Sequence, residues 1–82
     1  INSTVADVAA ATAQVETRYA GRTDVDVDHL DGLTVSYQGE PMWWFNLRPS
    51  NTEPLLRLNV EGADRATMER VRDEVLAIVR GE

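Results

Sequence analysis

Apolar residues recur along this chain with two different periods, and the changes between them divide it into elements. Over residues 3 to 20, Val5, Val8, Thr12, Val15 and Tyr19 fall at helical spacing with alanines between, which predicts a first helix. Asn2, Ser3 or Thr4 can cap its start, Asp7 suits its first turn and Gly21 can end it. From residue 25 to 30 the period drops to two, and Asp31-Gly32 then reads as a hairpin turn into Leu33, Val35 and Tyr37. The stretch "QGEP" at 38 to 41 breaks the chain, and two further strands are expected at 42 to 48 and 55 to 61. Met68, Val71, Val75 and Ile78 restore helical spacing for a second helix, with Asp64 as N-cap and Gly81 just past its end.

The predicted order is α-β-β-β-β-α, an α+β fold in which two helices cover one face of a mainly antiparallel four-stranded sheet. Strand parity then assigns side chains to faces. Trp43, Phe45 and Leu47 share one face of the third strand, matched by Leu56, Leu58 and Val60 on the fourth, and these six belong under the helices. The opposite face receives Trp44, Asn46, Arg48, Leu55, Arg57 and Asn59. If residue 48 pairs with 55, Arg57 stands opposite Asn46 and diagonal to Arg48. Two guanidinium groups on an open face, beside a loop, are not core packing.

That loop lies within "NLRPSNTEPLLRLN", residues 46 to 59. A phosphate dianion needs several donors converging on one small shell. Arg48 and Arg57 supply planar forks that match its geometry. Ser50 and Thr52 offer hydroxyls, Asn51 an amide, and the N–H groups of 50 to 53 could form a concave nest. Pro49 and Pro54 bracket the segment and fix φ at both ends, and Asn51 tolerates a left-handed turn if one is needed. Glu53 fits such a cradle only if it points outward. The plain alternative is a hairpin loop of polar turn residues.

Composition narrows the field. The chain has 82 residues, enough for one small domain, and 43 % apolar content, enough for one core. Fourteen acidic against eight basic residues give a net charge of −6, so the basic stripe of a nucleic-acid or anionic-membrane binder is missing. There is no cysteine, hence neither a disulfide framework nor a thiolate metal site, in keeping with a reducing compartment. No apolar run approaches the roughly 20 residues of a membrane span. A start at Ile1 instead of methionine raises the expectation of a longer parent chain. The run "DVDVD" puts Asp24, Asp26 and Asp28 on one side of a strand; it fails as an EF-hand, because His29 and Val35 stand where glycine and glutamate are needed, and a solvated strand face is expected. His29 has no nucleophile partner pattern and reads as structural, and the charges of 65 to 74 read as a solvated helix face. Trp43 is expected in the core, and Trp44 against a neighbouring domain or the chain's own loop.

The contiguous run "RPSNTEPLLRLNVEG", residues 48 to 62, resembles the phosphate-binding loop in the C-terminal domain of the α-D-phosphohexomutases, most closely the phosphomannomutase/phosphoglucomutase branch. The element order agrees with that domain over the whole chain. The resemblance implies a TATA-binding-protein-like fold without DNA binding, forming residues 1 to 82 of the fourth domain of a four-domain, cytoplasmic enzyme. It further implies that Arg48, Ser50, Asn51, Thr52 and Arg57 hold the substrate's phosphate. Such enzymes interconvert hexose 1-phosphate and hexose 6-phosphate, here of mannose or glucose, through a bisphosphorylated sugar. A phosphoserine in the first domain, Mg2+ in the second and sugar-reading residues in the third do the rest, and none of those motifs is present in this chain. The resemblance therefore implies a phosphate clamp that is inactive alone, with the other domains of the same chain as its partners. Phosphoglucosamine mutases tend to carry glycine where this chain has Asn51, which favours the mannose/glucose reading. A phosphoglucosamine mutase domain and a free-standing anion-binding module are the alternatives.

Overall fold

A computed structural model describes residues 1–81. The chain runs β1 (Asn2–Thr4), α1 (Val8–Ala20), β2 (Val25–Asp28), β3 (Leu33–Tyr37), β4 (Trp43–Pro49), β5 (Leu55–Gly62) and α2 (Arg65–Arg80). The strands form one fully antiparallel sheet in the order β1-β5-β4-β3-β2. This is the α+β arrangement expected, with one strand more.

The additional strand is β1, which lies along β5 with Asn2 opposite Arg57 and Thr4 opposite Leu55. The residues expected to cap the first helix are thus taken into the sheet, and Ser3 is buried there. Asp7 caps α1 instead, its carboxylate accepting from the Ala10 N–H at 3.0 Å. Asp64 caps α2 as expected by accepting from the Thr67 N–H at 2.7 Å, and Gly81 closes that helix at φ +72°.

Parity holds on the two central strands. Trp43, Phe45, Leu47, Leu56 and Leu58 are buried and Val60 packs against them, while α1 contributes Val15 and Tyr19 and α2 contributes Val71 and Val75. At about 1.5–3 kcal/mol per fully buried large apolar side chain, this one face carries most of the folding free energy. Tyr19 sits centrally, 5.2 Å from the Phe45 ring and 5.8 Å from that of Trp43. Its hydroxyl donates to Glu74 at 2.9 Å, and burial, reinforced by that carboxylate, raises its pKa. Among the described residues no buried side-chain nitrogen or oxygen lacks a partner, and no helix is long and apolar enough to cross a membrane. The open face is left free to carry chemistry.

Candidate anion-binding site

The ladder between β4 and β5 sets the site, and its register differs from expectation. Arg48 pairs with Arg57, Pro49 with Leu56 and Asn46 with Asn59. The expected pairing of 48 with 55 is displaced by two residues. The cause lies in the loop. A three-residue turn about Pro54 bonds the Leu55 N–H to the Glu53 carbonyl at 2.7 Å, and the Ser50 N–H reaches the Leu55 carbonyl at 2.9 Å. The loop thereby takes up residue 55 as its closing position. Because the shift is even, every side chain keeps its face. Arg57 now stands directly opposite Arg48, a like-charge pair that an uncommitted sheet surface would avoid.

The five residues proposed from sequence come together. Arg48, Ser50, Asn51, Thr52 and Arg57 line one concavity of about 580 Å³, joined by Asp31, Gly32 and Pro49. Some details of the expected cradle are not met. The Ser50 N–H is already committed to Leu55, so it cannot belong to a nest, and the Thr52 N–H leans on Ser50 Oγ at 3.5 Å. No residue other than glycine has positive φ among the described residues, so Asn51 makes no left-handed turn. The donors that remain are the two guanidinium groups, the hydroxyls and the Asn51 amide.

Asp31 and Gly32 were expected only as a turn. They reach the site because β3 pairs with β4, with Leu33 opposite Leu47, which sets the tip of the β2–β3 hairpin beside Arg48. Gly32 has φ +70°, and a Cβ there would lie 2.6 Å from the Leu47 carbonyl oxygen and 2.8 Å from Arg48 Cβ. The hairpin tip and Arg48 are thus in contact through backbone. Asp31 Oδ2 accepts from Arg48 Nη1 at 2.8 Å, while Asn46 Nδ2 donates to the Asp31 carbonyl at 2.6 Å and to Thr34 Oγ1 at 3.0 Å. Arg57 makes no ion pair with the described residues. One arginine of the pair is neutralised and the other is not.

The remaining candidates fall elsewhere. Asp26 and Asp28 are exposed on β2, whereas Asp24 precedes that strand and accepts two bonds from Arg22, which hold its carboxyl below the usual range. Among the described residues no three carboxylates or imidazoles gather to hold a metal ion. His29 is exposed and bonded to Glu16 at 2.9 Å. Trp43 lies in the core. Trp44 is half-buried, its indole N–H donating to Glu61 at 3.2 Å. Arg65, Arg70 and Arg72 pair with acids of α2 on its outer side.

Residues 1–78 match the family model described as "Phosphoglucomutase/phosphomannomutase, C-terminal domain". The chain is 41 % identical over 81 residues to a phosphomannomutase of Escherichia coli, covering 98 % of this chain and 17 % of that protein. It is 44 % identical over 82 residues to a protein named "Phosphohexose mutases" from Xanthomonas campestris pv. campestris (strain B100), covering 99 % of this chain and 17 % of that one. A probable phosphoglucosamine mutase of Methanopyrus kandleri is 41 % identical over 66 residues, 80 % of this chain and 14 % of the relative. The chain thus spans about a sixth of the length of these curated relatives. With a family match over residues 1–78 and relatives 41–44 % identical over nearly all of it, the chain belongs to the phosphoglucomutase/phosphomannomutase family.

Proposed function

We propose that this chain is the C-terminal domain of a four-domain phosphohexomutase and that it binds the phosphate group of a hexose phosphate, mannose or glucose 1- or 6-phosphate. The observation that carries the reading is the direct pairing of Arg48 with Arg57 on the open face, at the mouth of the 50–54 loop. Side chains directly opposite in a sheet stand about 4.5–5.5 Å apart at Cβ, and two cations so placed repel unless an anion sits between them. A phosphate dianion can take one fork from each, with Ser50, Thr52 and Asn51 donating to its remaining oxygens.

The chemistry assigned to the chain is positioning. While one phosphate is held here, the far end of the sugar is presented to the phosphoryl-transfer centre in another part of the parent enzyme. Holding whichever phosphate is not reacting lets the bisphosphorylated intermediate be used in either orientation. Binding energy at the remote phosphate becomes orientation at the reacting one. The magnesium ion that supports phosphoryl transfer in this reading finds no fitting donor set among the described residues and is assigned to another part of the parent enzyme.

The test is kinetic, on the intact parent enzyme. Arg48→Ala and Arg57→Ala should each lower kcat/KM by roughly 30- to 1000-fold, in both half-reactions. Melting midpoints should stay within a few degrees. An Arg48→Ala enzyme with normal kcat/KM would refute the clamp. The relative named as a phosphoglucosamine mutase supports a second reading, in which glucosamine phosphate is the substrate. Comparing kcat/KM for the two sugar classes separates the readings, and Asn51 favours the first.

A further inference from the structure

Among the described residues, Asp31 is the one acidic residue paired with an arginine of the candidate site. Its side chain is 72 % exposed, so packing does not hold it there; the backbone does. The carbonyl of the same residue is tied to Asn46, and the next residue is pressed against Leu47 and Arg48 at a positive φ that only glycine takes readily. The anchored turn therefore delivers a fixed negative charge to Arg48 Nη1, where a phosphate oxygen would bind. Arg57 has no such partner among the described residues.

We propose that Asp31 is an affinity-setting residue of the phosphate site, a built-in counterion that competes with the incoming phosphate for the Arg48 guanidinium. The inference rests on the phosphate-binding reading above and deepens it. Without an anion, Asp31 neutralises one of two facing cations and keeps the Arg48 fork turned to the site. With phosphate bound, the Arg48–Asp31 bond is exchanged for an Arg48–phosphate bond, so the net gain is smaller than a free fork would give. Asp31 also adds a like charge at the rim. Both effects weaken the hold and speed release, as suits a site that must let a bisphosphorylated sugar leave and return reversed.

The test uses the 82-residue chain and inorganic phosphate, titrated at pH 7 and constant ionic strength while the backbone amide signals of residues 48–57 are followed. Asp31→Asn keeps the size, the turn preference and the backbone carbonyl but removes the charge. It should tighten phosphate binding by about three- to tenfold, the combined scale of an exposed ion pair and one nearby like charge. Its melting midpoint should stay within about 3 °C of the unmodified chain. If the unmodified chain binds at 48–57 and Asp31→Asn binds equally or more weakly, Asp31 is a positioning residue or a bystander and the proposal falls, with the phosphate site intact. A fall in melting midpoint of more than about 8 °C would make Asp31 structural and also overturn it. If neither protein shows saturable shifts at 48–57, the phosphate site itself is wrong and this inference falls with it.

Discussion

Removing Arg57 should separate binding from folding more cleanly than any other change in this chain. Arg57 is exposed on β5, flanked by Arg48 on one side and Asn2 on the other, with no ion pair to the described residues. A like-charge cross-strand neighbour costs roughly 0.2–1 kcal/mol, so Arg57→Ala loses a repulsion along with a little stem packing. In phosphate-free buffer its melting midpoint should equal that of the unmodified chain or exceed it by a few degrees. Binding should respond in the opposite sense. Two solvent-exposed forks at about 1.5 kcal/mol each give about 3 kcal/mol, a Kd near 6 mM. At about 20 mM phosphate that affinity adds roughly 0.9 kcal/mol of stability, or about 3–7 °C for a domain of this size. With one fork left, Kd rises to about 80 mM and the same phosphate adds only about 0.1 kcal/mol, a shift of about 1 °C or less. Thermal unfolding of both proteins with and without phosphate, sodium chloride balancing ionic strength, measures all four quantities. A full phosphate shift in Arg57→Ala would remove this residue from the site. A variant melting more than about 5 °C low without phosphate would make it structural.

Two further changes test the support around the site and the helix behind it. Gly32→Ala places a Cβ 2.6 Å from the Leu47 carbonyl oxygen at φ +70°, so it should lower stability by about 1–3 kcal/mol and displace Arg48; normal thermal stability and normal phosphate shifts together would contradict that contact. At the start of α2, the Thr67 N–H bonded to Asp64 holds that carboxyl below its usual range. A depressed folded pKa contributes stability above the unfolded value, near 3.9, and loses it as pH falls through the folded one. Asp64→Ala should therefore melt earlier than the unmodified chain at pH 7, and the gap should narrow as pH falls below the unfolded value; a gap independent of pH would mean that the cap does not act through its charge.

What could be read from the sequence was what depends on parity and local chemistry. Trp43, Phe45, Leu47, Leu56 and Leu58 declared their shared face by alternation alone, and Asp64 and Gly81 declared the limits of α2 by cap chemistry. The loop donors were readable because they are contiguous. Register was not, because it depends on how the loop closes: the turn at Pro54 moved Arg57 from opposite Asn46 to opposite Arg48, a shift parity cannot detect. β1 was hidden for a related reason. Asn, Ser and Thr are good helix caps, and only the β5 edge at Leu55, Leu56 and Arg57 turns them into a strand. Asp31 reads from sequence as a turn residue alone because its contact with Arg48 spans 17 positions.

The two faces of the sheet divide the work, and under the proposed function that division bears on the strength of the site as well as on its chemistry. Stability comes from the covered face, where Val15, Val35, Phe45 and Val75 are fully enclosed. The candidate binding groups stand on the other face, where side-chain exposure is 44 % for Arg48 and 72 % for Asp31. In water, exposed charges interact with an anion at high dielectric, and each is worth a fraction of its enclosed value. A phosphate on this face alone has donors on one side and solvent on the other. Under the proposed function, the other side is supplied when the rest of the parent chain closes over the sugar and expels that water, which strengthens the same forks without moving them. On that reading, a clamp that is loose when open and firm when closed would fit a reaction whose intermediate must turn around. Its loose state is built into residues already in place: two arginines forced opposite one another by the loop, and one aspartate held against the first of them by a glycine turn.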